Sequence, residues 1–247
     1  MIQDLHSHTY YSFCGRDKPE QTVEAAIKGG IELFGISDHS YGIGCGRVDV
    51  AKSTTAEIND DYERNLFRYF DHINLIKEKY ADRIKILRGI EITIPNLFSL
   101  RTSLPESADV SFFDYCLLES PNLITDNDIF TLAERFGIPM GIAHTDMFAY
   151  IRSLGEDAYT FFKRMSESGI FWEMNVSYDS IHGYRQHKYM LDFFDNEEQQ
   201  AIVRESGVRL SVGFDGHRVE DYLPDRVASY CRKIEDMKIK LAFDELV

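Results

Sequence analysis

Short apolar runs that each finish on a polar or charged residue recur seven times along this chain. They are 2–6 (IQDLH), 33–38 (LFGISD), 84–91 (IKILRGIE), 115–119 (YCLLE), 140–144 (MGIAH), 170–175 (IFWEMN) and 208–215 (VRLSVGFD). Their length and their β-branched and aromatic content predict buried parallel strands. Helical patterns separate them. Ile58, Tyr62, Leu66, Tyr69, Ile73, Ile76 and Tyr80 recur three or four apart and predict an amphipathic helix over 57–80. Pro19 and the Gly29-Gly30 pair bracket a second helix over 19–28. Asn196, followed by Glu197 and Glu198 and ended by Gly207, brackets a third over 196–206. Such strand–helix alternation predicts an α/β fold with a parallel sheet. At this length the sheet is expected to close into a distorted (β/α)7, TIM-like barrel, a single domain over 1–247; an open doubly wound sheet is the alternative. The stretch 176–195 reads as a long loop after the sixth strand. It would serve as a lid through His182, Arg185, His187 and Lys188, or pack its aromatic residues on the barrel. Trp172 is expected in the core and Asn175 at the rim.

Composition narrows the function. The 247 residues carry 27 basic and 41 acidic side chains, a net charge of −14, so the surface repels polyanions. Nucleic-acid and anionic-membrane partners are disfavoured. No apolar run reaches the roughly 18 residues of a membrane span, and the first residues lack the pattern of a signal peptide. The four cysteines, Cys14, Cys45, Cys116 and Cys231, form no CxxC pair and read as reduced thiols. A cytoplasmic location is expected.

The strand ends carry the chemistry. His6 and His8 end the first run, Asp38 and His39 the second, Glu91 the third and Glu119 the fourth. His144 and Asp146 end the fifth, and Asp215 and His217 the seventh. In a β/α barrel these ends meet on one face, which holds the active site. Imidazoles and carboxylates crowded into one cleft need a cation, because buried carboxylates otherwise stay unpaired. Their donor types suit zinc, manganese or iron. More ligands than one ion takes imply two to three divalent ions, with Glu91 as the natural bridge.

The phrases "DLHSHT", "GISDH", "GIE", "AHTD" and "GFDGHR", in that order from residue 4 to about 218, resemble the PHP (polymerase and histidinol phosphatase) family. The resemblance implies a distorted barrel of seven βα units, a trinuclear metal centre and hydrolysis of phosphate esters. It implies His6, His8, Glu91 and Asp215 around one ion, Glu91 and His144 around a second, and His39 and His217 around a third. Two positions depart from the family pattern. The histidine usual after the fourth strand is absent from Leu117-Leu118-Glu119-Ser120-Pro121-Asn122, so either Glu119 replaces it as an oxygen ligand or the second ion is under-coordinated. The histidine usual six residues after the HxH pair is Cys14, either a soft thiolate ligand or a half-buried free thiol. The expected reaction is hydrolysis of a small-molecule phosphate monoester by a metal-activated hydroxide, with Glu91, Asp215 and His217 as catalytic residues. Arg16, Arg47 and Arg218 are the candidates to bind the phosphate, and His217 or Asp146 would protonate the leaving group. An amidohydrolase-type hydrolase is one alternative, although no lysine follows the fourth strand. A polymerase-associated exonuclease is disfavoured by the charge. A non-catalytic metal-binding barrel is the third.

Overall fold

The computed structural model describes residues 1–44, 62–93, 104, 108–124, 128–178, 180, 183 and 186–246. The strands are β1 (Gln3–Asp4), β2 (Leu33–Ile36), β3 (Lys85–Thr93), β4 (Tyr115–Glu119), β5 (Met140–Ile142), β6 (Ile170–Asn175) and β7 (Leu210–Gly213). They form one sheet in sequential order, parallel throughout. Its edges meet. The Leu5 N–H donates to the Val212 carbonyl at 2.9 Å, the Asp215 N–H to the His6 carbonyl at 2.8 Å, and Ser7 bridges Gly216 in parallel. The closed barrel, not the open sheet, is the architecture.

Around it lie α1 (Pro19–Lys28), α2 (Ser40–Gly44), α3 (Tyr62–Lys79), α4 (Ile129–Phe136), α5 (Met147–Leu154), α6 (Ala158–Glu167), α7 (Lys188–Phe194), α8 (Glu197–Ser206) and α9 (Pro224–Asp236). The helix expected over 57–80 is α3, which buries Tyr62, Leu66, Tyr69, Ile73 and Ile76; positions 57–61 lie outside the described residues. Asn196 caps α8 by accepting the Gln199 N–H at 3.0 Å. The long loop expected over 176–195 needs correction, because its second half is α7. Tyr189, Met190 and Phe193 are buried there, and Tyr189 Oη donates to the Glu173 carbonyl at 2.9 Å while accepting the Asn175 N–H at 3.0 Å. Burial of two aromatic rings and a methionine outweighs the polar composition around them. His182 and Arg185 lie outside the described residues.

Strand alternation splits the interior in two. Phe34, Ile36, Ile86, Ile90, Trp172, Met174 and Val212 face the helices in the larger core. Leu5, Leu33, Leu87, Tyr115, Leu117 and Phe171 face the barrel axis and fill its floor. Tyr115 fits only because its neighbours are glycines. A Cβ at Gly35 would stand 2.1 Å from its Oη, and one at Gly89 would stand 2.4 Å from its Cζ. One register further along the same inward faces, the apolar floor gives way to Glu91 on β3, Glu119 on β4, Glu173 on β6 and Asp215 just past β7.

Candidate metal centre

The inward positions converge with the loops that follow β1, β2, β5 and β7. His6 and His8 are buried, and their Nε2 atoms lie 3.1 Å apart. Glu91 Oε1 stands 3.4 Å from His6 Nε2, and Glu91 Oε2 3.4 Å from His8 Nε2. Asp215 Oδ1 stands 3.6 and 3.2 Å from the same two nitrogens. On the far side of Glu91, His144 Nε2 lies 3.2 Å from Oε1, and Glu119 completes a group with the two. On the other flank, Cys14 groups with His8 and His217, and His39 with His8 and Glu91. The rings of His39 and His217 each stack on His8 at 4.5 Å. Every candidate metal ligand named from the sequence therefore falls in one contiguous cluster.

The donor set fits a cation. His39 Nδ1 and Glu91 Oε2 are both buried and only 2.8 Å apart, yet neither makes a hydrogen bond of acceptable geometry. The electrostatics agree. Burial opposes charge on His6, but the carboxylates of Glu173, Glu91 and Asp215 outweigh it and raise its pKa well above the ordinary value. Burial likewise opposes the charged forms of His39 and His144, and Glu91 raises both. Glu91 and Asp215 are held well below the carboxylate range against the cost of burial, Glu91 by His39 and His6, Asp215 by His6 and His8. His8, desolvated and beside His39 and His217, falls to about 3. Burial opposes ionisation of Cys14, but hydrogen bonds with His217 and His39 lower its pKa. Glu119, buried and repelled by Glu91, is pushed up to about 7. This cleft demands positive charge.

Backbone geometry supports the arrangement. His144 and Asp215 have φ of 27° and 56°, in the region that L side chains rarely adopt. Holding each there costs about 1–3 kcal/mol, the kind of strain that clusters at functional sites. Asp38 anchors the loop after β1, accepting the Thr9 N–H and Oγ1 at 2.7 Å each and the Ser12 N–H at 3.0 Å and Oγ at 2.6 Å. The single Ser12 hydroxyl proton thus points at Asp38. Its oxygen accepts the His39 N–H at 2.9 Å and lies 3.2 Å from His8 Nδ1. His8 therefore donates from Nδ1 and keeps the Nε2 lone pair for the cleft.

Other expectations fare differently. Asp146 is spent as the N-cap of α5, accepting the Ala149 N–H at 2.9 Å. Arg218 pairs with Glu220 at 3.2 Å and lines a crevice with Thr22 and Ala25 of α1, outside the barrel. Arg16 is exposed, and its backbone N–H donates to the His217 carbonyl at 3.0 Å, beside the cluster. Arg47 lies outside the described residues. Asn175 is fully buried, not at the rim; its Nδ2 donates to Glu173 at 3.2 Å. Cys14, Cys116 and Cys231 are free thiols, and Cys45 lies outside the described residues. Among the described residues no helix is long and apolar enough to cross a membrane. Sequence reasoning missed Glu173 and Ser12. Glu173 was signalled by parity, since it shares the inward face of β6 with Phe171. Ser12 left no signal.

The PHP domain model matches residues 4–217. A histidinol-phosphatase of Lactococcus lactis is 26% identical over 127 residues, a match that spans 51% of this chain but only 41% of that relative's length. The crystal structure of histidinol phosphate phosphatase from L. lactis, complexed with zinc, L-histidinol and phosphate, superposes with a TM-score of 0.57 at 16% identity, covering 98% of this chain and 95% of that one. One chain from the crystal structures of the metal-dependent tyrosine phosphatases of Bacillus subtilis and Streptococcus pneumoniae superposes with a TM-score of 0.51 at 16% identity, covering 94% of this chain and 87% of that one. At these identities the superpositions speak to the fold: a PHP, TIM-like barrel.

Proposed function

The chain belongs to the PHP domain family, and from that premise we propose that it is a metal-dependent hydrolase of small-molecule phosphate monoesters. The observation that carries this reading is the close contact of His39 Nδ1 and Glu91 Oε2, buried, 2.8 Å apart and without a hydrogen bond, at the junction of the groups that converge around Glu91. In this proposal His6, His8, Asp215 and Glu91 hold one ion, and Glu91, Glu119 and His144 a second. Cys14, His39 and His217 hold a third. Imidazole, carboxylate and thiolate together suit zinc first, then iron or manganese. Bound divalent ions would supply Lewis acidity, acidifying water and neutralising charge on the phosphoryl oxygens.

The chain's own residues supply the rest. Glu91 spans the cluster with both oxygens and fixes the spacing of its two halves. The buried carboxylates of Asp215 and Glu91 repel anions until cations are present, so phosphate binding follows metal binding. Asp146, spent as a helix cap, is removed as a proton donor for the leaving group, and His217, buried beside Cys14, enters as a ligand of the third ion. Arg16 is the remaining described candidate from the three arginines to meet the phosphate at the mouth. Phe13, 46% exposed, lies over His39 with ring centroids 5.8 Å apart and offers an apolar wall beside the site. That wall suits an organic ester.

The test pairs elemental analysis of protein purified without chelator with hydrolysis of p-nitrophenyl phosphate and a panel of small phosphate esters, histidinol phosphate included. About two to three equivalents of zinc, iron or manganese, with turnover abolished in His8→Ala, is the expected result. Less than one equivalent, not raised by reconstitution and without turnover on any ester, would overturn the reading.

A further inference from the structure

We propose that Glu173 is the positioning residue of this centre: it fixes the His6 proton on Nδ1, turns the Nε2 lone pair into the cleft, and ties that imidazole to His144. The inference rests on the metal-centre reading above and concerns a residue that reading does not use as a ligand.

Glu173 lies on β6, on the barrel's inward face, with 1% of its surface exposed. A buried carboxylate must be surrounded by donors to persist, and its partners are specific. Oε1 lies 2.6 Å from His6 Nδ1. Oε2 accepts the backbone N–H of His144 at 2.7 Å and Asn175 Nδ2 at 3.2 Å. One carboxylate thus spans two candidate ligands that are 138 positions apart in the chain. His144 is held where its backbone is strained, at φ 27°. Gly213 on β7 makes the room. A Cβ there would stand 2.1 Å from Glu173 Oε1 and 2.6 Å from His6 Cβ, so any side chain would part the pair.

The chemistry explains why the residue is an acid. An imidazole binds a metal through one nitrogen, and the hydrogen bond made by the other decides which. Glutamine has the same shape and reach but presents an amide NH2 at one end. Set against His144, that NH2 meets a backbone N–H and the Asn175 amide. Set against His6, it donates to Nδ1 and moves the imidazole proton to Nε2, into the cleft. The first setting releases His144, and the second puts a proton where the metal would bind. Space filling alone would survive Glu173→Gln; the joint hold on the His6 tautomer and on His144 would not.

The experiment compares the unmutated protein with Glu173→Gln, using zinc as the probe. Zinc affinity is read by competition with a chromophoric chelator. Urea unfolding in excess chelator checks that the metal-free variant folds. Partners of metal-bound imidazoles are typically worth about 10- to 100-fold in metal affinity, and a loss of that size in a variant that unfolds like the parent is the expected result. Unchanged affinity in a folded variant overturns the role of Glu173 and leaves the metal centre standing. No zinc uptake by the unmutated protein overturns both. Should Glu173→Gln not fold, long-range 1H–15N spectra of the zinc-loaded unmutated protein decide, with the His6 signals assigned by their loss in His6→Asn. A proton on His6 Nδ1 supports the proposal; a proton on Nε2, or zinc on Nδ1, overturns it.

Discussion

Replacing Asp38 separates two reasons for a buried carboxylate. Asp38 accepts four hydrogen bonds, two from backbone N–H groups (Thr9 and Ser12) and two from the hydroxyls of the same residues. In Asp38→Ala the hydroxyls can turn to other acceptors, but the two N–H groups cannot. Each buried donor left without a partner costs about 1–3 kcal/mol, so the variant should lose roughly 2–6 kcal/mol. Total stability for a domain is about 5–15 kcal/mol, which makes this a large fraction. Asp38→Asn should behave differently. Its oxygen can take the place of Oδ1, which accepts three of the four bonds, and its NH2 can donate to Thr9 Oγ1. Burial also raises the pKa of Asp38 despite the donors from Ser12 and Thr9, so losing the charge brings partial compensation. The asparagine variant should fall within about 1.5 kcal/mol of the parent. Urea unfolding of both variants in excess chelator measures the fold without the metal contribution. Activity after reconstitution then reports on Ser12, which Asp38 orients toward His8 and His39. An alanine variant within 1 kcal/mol of the parent, or an asparagine variant as damaged as the alanine one, would refute the reasoning.

Further predictions draw on other groups. Cys14 should react with iodoacetamide in metal-free protein and be protected by zinc; equal alkylation rates with and without zinc would remove it from the ligand set. Glu119, at about 7 through burial and the charge of Glu91, must shed a proton to bind an ion. Zinc affinity at its group should fall by about tenfold per pH unit below that value, and a pH series on Glu119→Gln should lack that step. Asp4 is raised by burial from 3.8 to about 6 although it accepts the Phe214 N–H and the Tyr222 hydroxyl. Its folded-state pKa is above the unfolded one, so its contribution is fully present below pH 4 and is lost as pH rises through 6. The shift corresponds to about 3 kcal/mol. Relative to Asp4→Asn, the parent should lose about that much between pH 4 and 7 in urea unfolding, and a pH-independent difference would sink the assignment.

Much of this was legible because strand periodicity and barrel geometry are simple. Each of the seven apolar runs marks one strand, with β3 extending two residues beyond its run to Thr93, and the parallel order follows from alternation with helices. Residues as distant as His6 and Asp215 could be placed together because strand ends share one face. Side-chain commitments were harder to read. Asp146 carries the right chemistry at the right strand end, but a helix begins one residue later and takes its carboxylate as a cap. Arg218 follows His217 directly, yet its side chain lines the crevice beside α1 outside the barrel. The helix α7 was hidden because seven residues are too few for a periodic signal.

The acceptors behind the imidazoles explain why the HxH pair is asymmetric. His6 is controlled directly by a carboxylate across the barrel, Glu173 on β6. His8 is controlled through a hydroxyl, Ser12, whose own proton is committed to Asp38. Position decides the difference. His6 lies against the barrel axis, where β6 supplies an acid two residues above the apolar floor. His8 lies toward the loop, where Asp38 already gathers the turn and can pass its preference on through serine. Both devices leave an Nε2 lone pair pointing at the same point between Glu91 and Asp215. Two neighbouring lone pairs 3.1 Å apart repel, and two carboxylates facing them relieve nothing unless a cation or a proton lies between. The pKa directions show what happens when only protons are available: His6, His39 and His144 hold them more tightly, while His8 gives its own up. On the proposed reading, metal uptake would be an exchange of protons for ions, and the buried partners of the imidazoles would decide which nitrogen each leaves exposed.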